Sequence, residues 1–402
     1  MADSQQTLKL RRLQDMNLRG ARVLARVDYN VPLKDGGVAD DTRIRETLPT
    51  LRHLLDVGAK VTLVAHLGRP SGKPNPKYSL KPVAERLGQL LKTRVHFASD
   101  CVGPEAHTVS AQLGSGELAL LENLRFHPEE ESNGGGFAQE LSRHGEFFVQ
   151  DAFGALHRAH ASTAGVPKYL PGCIGLLVQK ELEFLDRVIG NPQRPFLAIL
   201  GGAKVSDKIG VMRRLVERID TLVVGGGMAY TFLAAQNVEI GKSLLEKASI
   251  PDAKSIIEKA YNRGVECLLP ADHVTVGELK DDCAAKITSG MAISPDQIGA
   301  DIGPRSIEIF SQVISDSKTI FWNGPMGVFE MEPFARGSVA VAKAVARATG
   351  KGAVSIVGGG DSLALLNKAK VADKVTHCST GGGASLEFLE GRVLPGLLAL
   401  SQ

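Results

Sequence analysis

A chain of 402 residues, 43% of them hydrophobic, is long enough for more than one core, and two domains are expected. Its 47 basic and 44 acidic residues are mixed along the chain and leave a formal net charge of +3. That balance excludes a whole-molecule pull toward nucleic acid or membrane, so any anion binding has to be local.

The first residues, MADSQQTLKLRRLQDM, contain no apolar core of signal-peptide type, and no apolar run is long enough to span a bilayer. Short β-rich runs then alternate with longer helical patterns, as in parallel-sheet α/β proteins. In the first half, strands are predicted at Val23–Val27, Val61–Ala65, Leu118–Leu121 and Phe147–Gln150. Between the last two, ESNGGGFAQE (Glu131–Glu140) reads as a surface loop. VQKELEFLDRVIGNPQRP (Val178–Pro195) has apolar residues at helical spacing before a Gly, Asn and Pro stop, and is predicted to be a linker helix between two domains. Strands follow at Phe196–Leu200, Thr221–Val224, Cys267–Leu269, Thr319–Trp322, Val354–Val357 and Val375–Cys378. The five cysteines are odd in number and form no C-x-x-C pair, which argues against a disulfide framework or a zinc site and for a reducing cytoplasm.

Ligands of open parallel sheets bind beyond the carboxyl ends of the strands. In the first half these ends carry DYNVP, HLGRP, ENLRF and DAFGALHRAH, which bring His66, Arg69, Arg125 and Arg158 toward one rim, with Arg43 of DDTRIRE as a further member. One such arginine alone is more often a surface ion-pair partner, but several at strand ends offer the bidentate donors that suit a small, doubly anionic ligand. In the second half the ends carry glycines instead: GGAKVSDK, GGGMA, NGPMGVFE, GGGDS and STGGGAS. Glycine lets backbone N–H groups approach a ligand closely, which suits a polyphosphate. Lys204 and Lys208, four residues apart, are expected to share one face of the helix after their turn. The GGGDS turn ends in Asp361, the wrong charge beside phosphate. Either that turn holds no phosphate or a cation lies between them.

Common nucleotide fingerprints are absent. QNVEIGKS approaches the P-loop pattern, but Gln236 stands where its first glycine belongs. Neither a G-x-G-x-x-G dinucleotide turn nor an H-R-D catalytic loop appears. In HRAH, His157 and His160 have the spacing of a metal pair, but Arg158 between them would repel a cation.

RVDYNVPL, HLGRPSGK, ENLRF, DAFGALHRAHAST, GGAKVSDK, FWNGPMGVFE, GGGDS and STGGGASLEFLEG resemble, in order and over nearly the whole chain, the successive motifs of the phosphoglycerate kinases. The resemblance implies two doubly wound parallel-sheet (Rossmann-like) α/β domains facing a cleft. The first, residues 1–177, would bind 3-phosphoglycerate, and the tail from about residue 390 to 402 would pack back on it. The second, 196–389, would bind ADP or ATP with Mg²⁺, and 178–195 would link the two. The implied reaction is reversible phosphoryl transfer between 1,3-bisphosphoglycerate and ADP, by a cytoplasmic monomer.

The resemblance also assigns roles. His66, Arg69, Arg125 and Arg158, on turns that include Leu67 and Gly68, would hold the remote phosphate, while Asp28, Tyr29 and Asn30 form the stretch at the hydroxyl and carboxylate end. Arg43 and Lys208 would flank the transferring phosphoryl, and the N-terminal turn of the Gly381 helix would add backbone donors. Gly201, Lys204, Gly225, Asn323, Gly358, Gly359, Gly360 and Ser362 would line the nucleotide phosphates, and Glu330 would meet the ribose hydroxyls. Asp361 would hold Mg²⁺, which answers the charge conflict of its turn. Tyr29, Leu156 and Ser362 stand where phenylalanine, a threonine-alanine type pair and threonine are frequent in the family. Two rival readings, a Rossmann-type dehydrogenase and a non-catalytic nucleotide sensor, lack respectively a dinucleotide fingerprint and a need for the cleft lysines.

Overall fold

The computed structural model describes residues 8–280 and 282–401. Two compact units make up the chain: one runs to Glu183 and resumes at Arg392, and the other is Phe184–Gly391. The boundary falls within the helix Leu176–Ile189.

The first unit is built on a 6-stranded sheet of β1 (Arg22–Val27), β2 (Lys60–Val64), β3 (Val95–Ala98), β4 (Leu118–Leu121), β5 (Phe147–Asp151) and β6 (Gly172–Ile174), in the spatial order β3-β4-β2-β1-β5-β6. Every pairing is parallel. Parallel strands need crossover connections, and these put helices on the sheet faces, so the strands read as near-continuous apolar runs. On one face Val23, Ala25, Val61, Leu63, Leu118 and Leu120 form a core with Ile44, Leu51 and Leu54 of helix Thr42–Asp56 and Val83 and Leu87 of helix Lys81–Leu91. Each fully buried valine, leucine or isoleucine among them contributes about 1.5–3 kcal/mol. The C-terminal residues close this unit, where Gly396 N–H donates to the Leu156 carbonyl at 2.9 Å.

The second unit contains β7 (Phe196–Leu200), β8 (Thr221–Val224), β9 (Glu266–Leu268), β10 (His273–Val276), β11 (Lys286–Ile287), β12 (Ile298–Ile302), β13 (Thr319–Asn323), β14 (Val354–Gly358) and β15 (His377–Ser379). Its main sheet, also parallel throughout, has the order β9-β8-β7-β13-β14-β15. A small antiparallel sheet, β11-β10-β12, lies beside it in the chain. The main core joins Leu197, Ile199, Ile320, Trp322 and Val357 to Phe310 and Ile314 of helix Pro304–Asp316 and Val341 and Val345 of helix Arg336–Gly350.

Each predicted strand has a counterpart within a residue or two, but the pattern missed β3, β6 and the small sheet. β3 is an edge strand of mixed composition, VHFA, and β6 has only three residues. The predicted loop Glu131–Glu140 is corrected: Pro128–Glu131 and Gly135–Ser142 are helices, and the second buries Phe137, Ala138 and Leu141. Those apolar residues at helical spacing outweigh the glycines, which sit at its start.

Trp322, the only tryptophan, is fully buried, and its Nε1–H donates to the Gly324 carbonyl at 2.8 Å. Trp322→Phe removes ring volume and leaves that carbonyl unpaired, for an expected loss of about 1–3 kcal/mol. Urea unfolding followed by far-UV circular dichroism measures it; an unchanged midpoint would show that the core refills the space.

Candidate active site

In the first unit the residues after β1 and β2 are tied together by side chains that read one another's backbone. Asp28, 6% exposed, accepts from Arg43 Nη1 at 2.7 Å and from Asn30 N–H at 3.2 Å. Asn30 Oδ1 in turn accepts from Gly68 N–H at 2.9 Å. Gly68 has φ +63°, and a Cβ there would lie 2.3 Å from Tyr78 Cδ1, so this position requires glycine. The Gly68 carbonyl accepts from Arg125 Nη1 at 2.8 Å, and Arg125 Nε lies 3.1 Å from Glu131 Oε1. Asn123 joins the HLGR and ENLRF turns: its amide donates to the Leu67 and Tyr78 carbonyls at 2.7 and 2.9 Å, and its oxygen accepts from the Leu67 and Arg125 N–H groups.

His66 is buried, with Nδ1 2.9 Å from Arg26 Nη2. Burial, followed by the charges of Arg26, Arg125, Arg158 and Arg43, holds its pKa well below the ordinary 6.5. Burial, followed by the same positive field, pushes His160 down to about 4. The structure thus brings Arg43, Arg125, Arg158 and His66 into one electrostatic cluster. Arg69 is exposed on the adjoining turn and makes no hydrogen bond or ion pair among the described residues. Tyr29 is fully buried, with its hydroxyl 3.0 Å from Thr47 Oγ1, and Leu67 belongs to the same core. These two residues can offer a ligand only their backbones. Arg158 Nε donates to His157 Nε2 at 3.2 Å, so HRAH is organised around a guanidinium. Sequence reasoning missed Arg26, Asn123, Glu130 and Ser162; for Arg26 the signal was a charged residue inside the apolar strand RVLARV.

A separate cluster, Asp100, Cys101 and His127, brings three potential ligand atoms within 4.8 Å of one another. His127 Nε2 is already 2.7 Å from Asp100 Oδ1, which also accepts from Cys101 N–H at 2.6 Å, and burial pushes the Cys101 thiol well above its usual value. This is a histidine–carboxylate contact over a core thiol.

In the second unit the glycine turns pack backbone against backbone. A Cβ at Gly201 would lie 2.1 Å from the Pro325 carbonyl oxygen, and one at Gly225 would lie 2.3 Å from Met326 Sδ. Gly202 N–H donates to the Pro325 carbonyl, and Gly226 N–H to that of Met326. Asn323 donates to the Gly358 carbonyl at 2.9 Å, and the buried Ser362 hydroxyl accepts from Gly324 N–H at 2.7 Å. Ser362 therefore holds the NGPMG turn. Gly359, at φ +92°, leads into helix Gly360–Lys368, whose first turn carries the exposed Asp361.

These turns floor a cavity of about 490 Å³ whose lining includes Gly202, Gly226, Gly227, Glu330 and Asp361. Its walls include Tyr230, Leu244 and Val328, none of which the sequence pattern distinguished from core. Lys242 of the P-loop look-alike lines the same cavity. Two expectations are corrected. Lys204 and Lys208 do not share a helix face, because the helix begins only at Ile209; Lys204 is exposed and Lys208 buried. The intervening turn is held open by Glu246, which accepts from Ser206 N–H at 3.0 Å and from its hydroxyl. Gly381 likewise precedes its helix, Gly383–Leu389, because Gly382 has φ +53°, and Gly381 N–H donates to Ser379 Oγ at 3.2 Å.

Lys208 sends its ammonium to the carbonyls of Gly201 and Asn323. Burial lowers its pKa from 10.5 to about 8, against the opposing pull of Asp361 and Asp207.

Fold and site together define an α/β protein with a buried arginine-histidine cluster at the strand ends of one unit and a glycine-floored, nucleotide-sized cavity in the other. A profile of the family "Phosphoglycerate kinase" matches residues 13–392. Phosphoglycerate kinases of Elusimicrobium minutum and Koribacter versatilis are 52% and 54% identical to it, covering 98% and 97% of this chain and 99% and 98% of those proteins. Solved phosphoglycerate kinase structures from Coxiella burnetii and Pyrococcus horikoshii are similar at TM-scores of 0.85 and 0.87. They share 40% and 34% identity, over 97% of this chain and 98% of theirs. The chain belongs to the phosphoglycerate kinase family, whose members are glycolytic kinases and transferases. No helix among the described residues is long and apolar enough to cross a membrane.

The position of Lys208 makes a pH prediction. Below about pH 8 its ammonium is charged, and above it the free protein loses that charge. A phosphate ligand favours the charged form, so ATP binding at pH 9 should take up protons, and affinity should fall as pH rises through 8. Calorimetry in buffers of different ionisation enthalpy counts the protons. Lys208→Arg should abolish the uptake, and native protein without any uptake would contradict the assignment.

Proposed function

We propose that the protein catalyses reversible, Mg²⁺-dependent phosphoryl transfer between 1,3-bisphosphoglycerate and ADP, giving 3-phosphoglycerate and ATP, as a cytoplasmic monomer in glycolysis and, in reverse, gluconeogenesis. The observation that carries this reading is the division of labour between the units. The first converges Arg43, Arg125, Arg158 and His66 on one anion site, and the second offers a glycine-floored cavity with apolar walls.

In the ATP-consuming direction the nucleophile is the carboxylate of 3-phosphoglycerate, ionised at neutral pH because its unperturbed pKa is roughly 3.5. An oxygen of that carboxylate forms a bond to the γ-phosphorus as the bond to the leaving ADP oxygen breaks. No general base is required. Catalysis reduces to holding two anions in line and neutralising the charge that develops on the transferring group. His66, Arg69, Arg125 and Arg158 are assigned to the remote phosphate, Asp28 and Asn30 to the hydroxyl and carboxylate end, and Arg43 and Lys208 to the transferring phosphoryl. The turn at Gly381 is assigned, with Arg43 and Lys208, to donors for the transferring group, the Gly358–Gly360 turn and Lys204 to nucleotide phosphates, and Glu330 to the ribose. Asp361 suits Mg²⁺: its carboxylate is an exposed, hard oxygen ligand on the cavity wall, with space for water and phosphate oxygens to complete the shell. The bound ion would screen phosphate charge.

A coupled assay for ATP- and 3-phosphoglycerate-dependent turnover, with and without Mg²⁺, tests the reaction; absence of turnover in its presence would refute it. Arg43→Ala should lower kcat by about two to three decades, as expected for a donor acting mainly on the transition state. A normal kcat with only a raised KM would make Arg43 a binding residue.

Asp361 lies inside the first turn of its helix, which Gly359 precedes without a side-chain cap, so Asp361→Asn should leave the turn intact, yet should raise the Mg²⁺ requirement by roughly tenfold or more. Rate against Mg²⁺ concentration measures it, and an unchanged curve would remove Asp361 from the metal site.

The two assigned ligand sites belong to different units, whereas transfer needs reacting atoms roughly 3 to 3.5 Å apart. We take hinge bending around Val178–Pro195 and Ser379–Leu394 to supply that approach. Small-angle scattering should then show a clear fall in radius of gyration with both substrates and a smaller one with either alone. Turnover without any compaction would rule this out.

A further inference from the structure

Behind the anion site of the first unit runs a chain of buried polar groups that the reaction as described does not use. Glu130, fully buried, accepts from the Ser162 hydroxyl at 2.6 Å and from Ser162 N–H at 2.9 Å. Ser162 Oγ accepts from Arg26 Nε at 2.9 Å, and Arg26 Nη2 lies 2.9 Å from His66 Nδ1. Arg26 is 1% exposed and Ser162 fully buried, so water does not compete for these bonds.

Donor and acceptor chemistry fixes the direction of every link. A guanidinium has donors only, so Nδ1 of His66 has to accept, and its ring proton has to be on Nε2. For the same reason the Ser162 oxygen accepts from Arg26, leaving its own proton for a Glu130 carboxylate. We propose that Glu130 and Ser162 are positioning residues: through Arg26 they hold His66 as the neutral tautomer with its proton on Nε2, a neutral donor for the anionic substrate among otherwise cationic groups.

The charged groups facing His66 agree with that state. Arg26 on β1, Arg43 on helix Thr42–Asp56, Arg125 after β4 and Arg158 after β5 all oppose a second proton on the ring. Burial lowers the pKa of Arg26, and Glu130 and Asp28 oppose that shift and favour its charged form. Burial raises the pKa of Glu130, which Arg26 and the Ser162 bonds oppose, so acid would undo the chain from its far end by protonating that carboxylate. The value of a neutral histidine is geometric. A fourth mobile cation would bind the anion in several orientations, whereas one N–H held by a fixed partner offers one direction.

The inference rests on the kinase reading for its substrate but not for the tautomer, so two measurements separate them. In ¹⁵N NMR of the free, full-length protein, His66 should show an unprotonated Nδ1 and a protonated Nε2, unchanged from pH 6 to 8. In Ser162→Ala, where burial and the four arginines still keep the ring neutral, both neutral tautomers should be populated. The KM for 3-phosphoglycerate should then rise roughly tenfold, with kcat changed far less. Ser162→Thr, which keeps a hydroxyl, should restore the native spectrum, and Glu130→Gln should reproduce Ser162→Ala. A native His66 that titrates near 6.5 or carries its proton on Nδ1 would overturn the proposal, as would a Ser162→Ala spectrum identical to native. A native spectrum as expected in a protein without kinase turnover would overturn only the kinase reading.

Discussion

Both main sheets are parallel in every pairing, and this constraint organises the rest of the molecule. Parallel neighbours cannot be joined by a tight hairpin, so each strand is followed by a turn and a crossover, and all the carboxyl ends of a sheet collect on one edge. Asp28, His66 and Arg125 follow β1, β2 and β4 for this reason, although nearly a hundred residues separate the first from the last. In the second unit the same geometry collects Gly201, Gly225, Asn323, Gly358 and Ser379. The apolar faces stabilise the sheets, and the edges are left for chemistry.

The two edges solve opposite electrostatic problems. Gathering several guanidiniums around one imidazole is repulsive, and the first unit offsets it with carboxylates placed behind and beside them: Asp28 on Arg43, Glu131 on Arg125, and Glu130 through Ser162 on Arg26. Those partners also restrict rotamers, so the donors are aimed before a ligand arrives. The second unit relies on backbone instead. Close approach of Gly201, Gly226 and Gly324 to neighbouring carbonyls leaves no room for side chains between the turns, and Lys208 is held on the carbonyls of Gly201 and Asn323. A lysine so placed keeps its charge near neutral pH only narrowly, which makes it responsive to a phosphate nearby.

Several features were legible because they depend on local pattern. Val23–Val27 and Phe196–Leu200 stand out as apolar β-rich runs, and the glycine turns stand out because no other residue permits such approaches. Other features were not. The GGG of Gly134–Gly136 looks like a loop, yet Phe137, Ala138 and Leu141 find a core and make a helix. Lys204 and Lys208 have helical spacing, but a turn fixed by Glu246, forty residues away, separates an exposed lysine from a buried one. Tyr29 lies between Asp28 and Asn30 in the chain, but its ring continues the inward side of Val23, Ala25 and Val27 and is buried in the core.

The amino-acid sequence by itself determined the alternation of strands and helices, the arginine and glycine character of the strand ends, and the membership that its ordered motifs imply. Those properties are carried by residue type and short spacing, which folding does not change. Only the tertiary structure decided which charges are buried, which partners they meet and which way each hydrogen bond points. Arg26, Ser162 and Glu130 are far apart in the chain and undistinguished there. Their burial together removes water as a partner, and each donor then has only the acceptor that the fold brings to it.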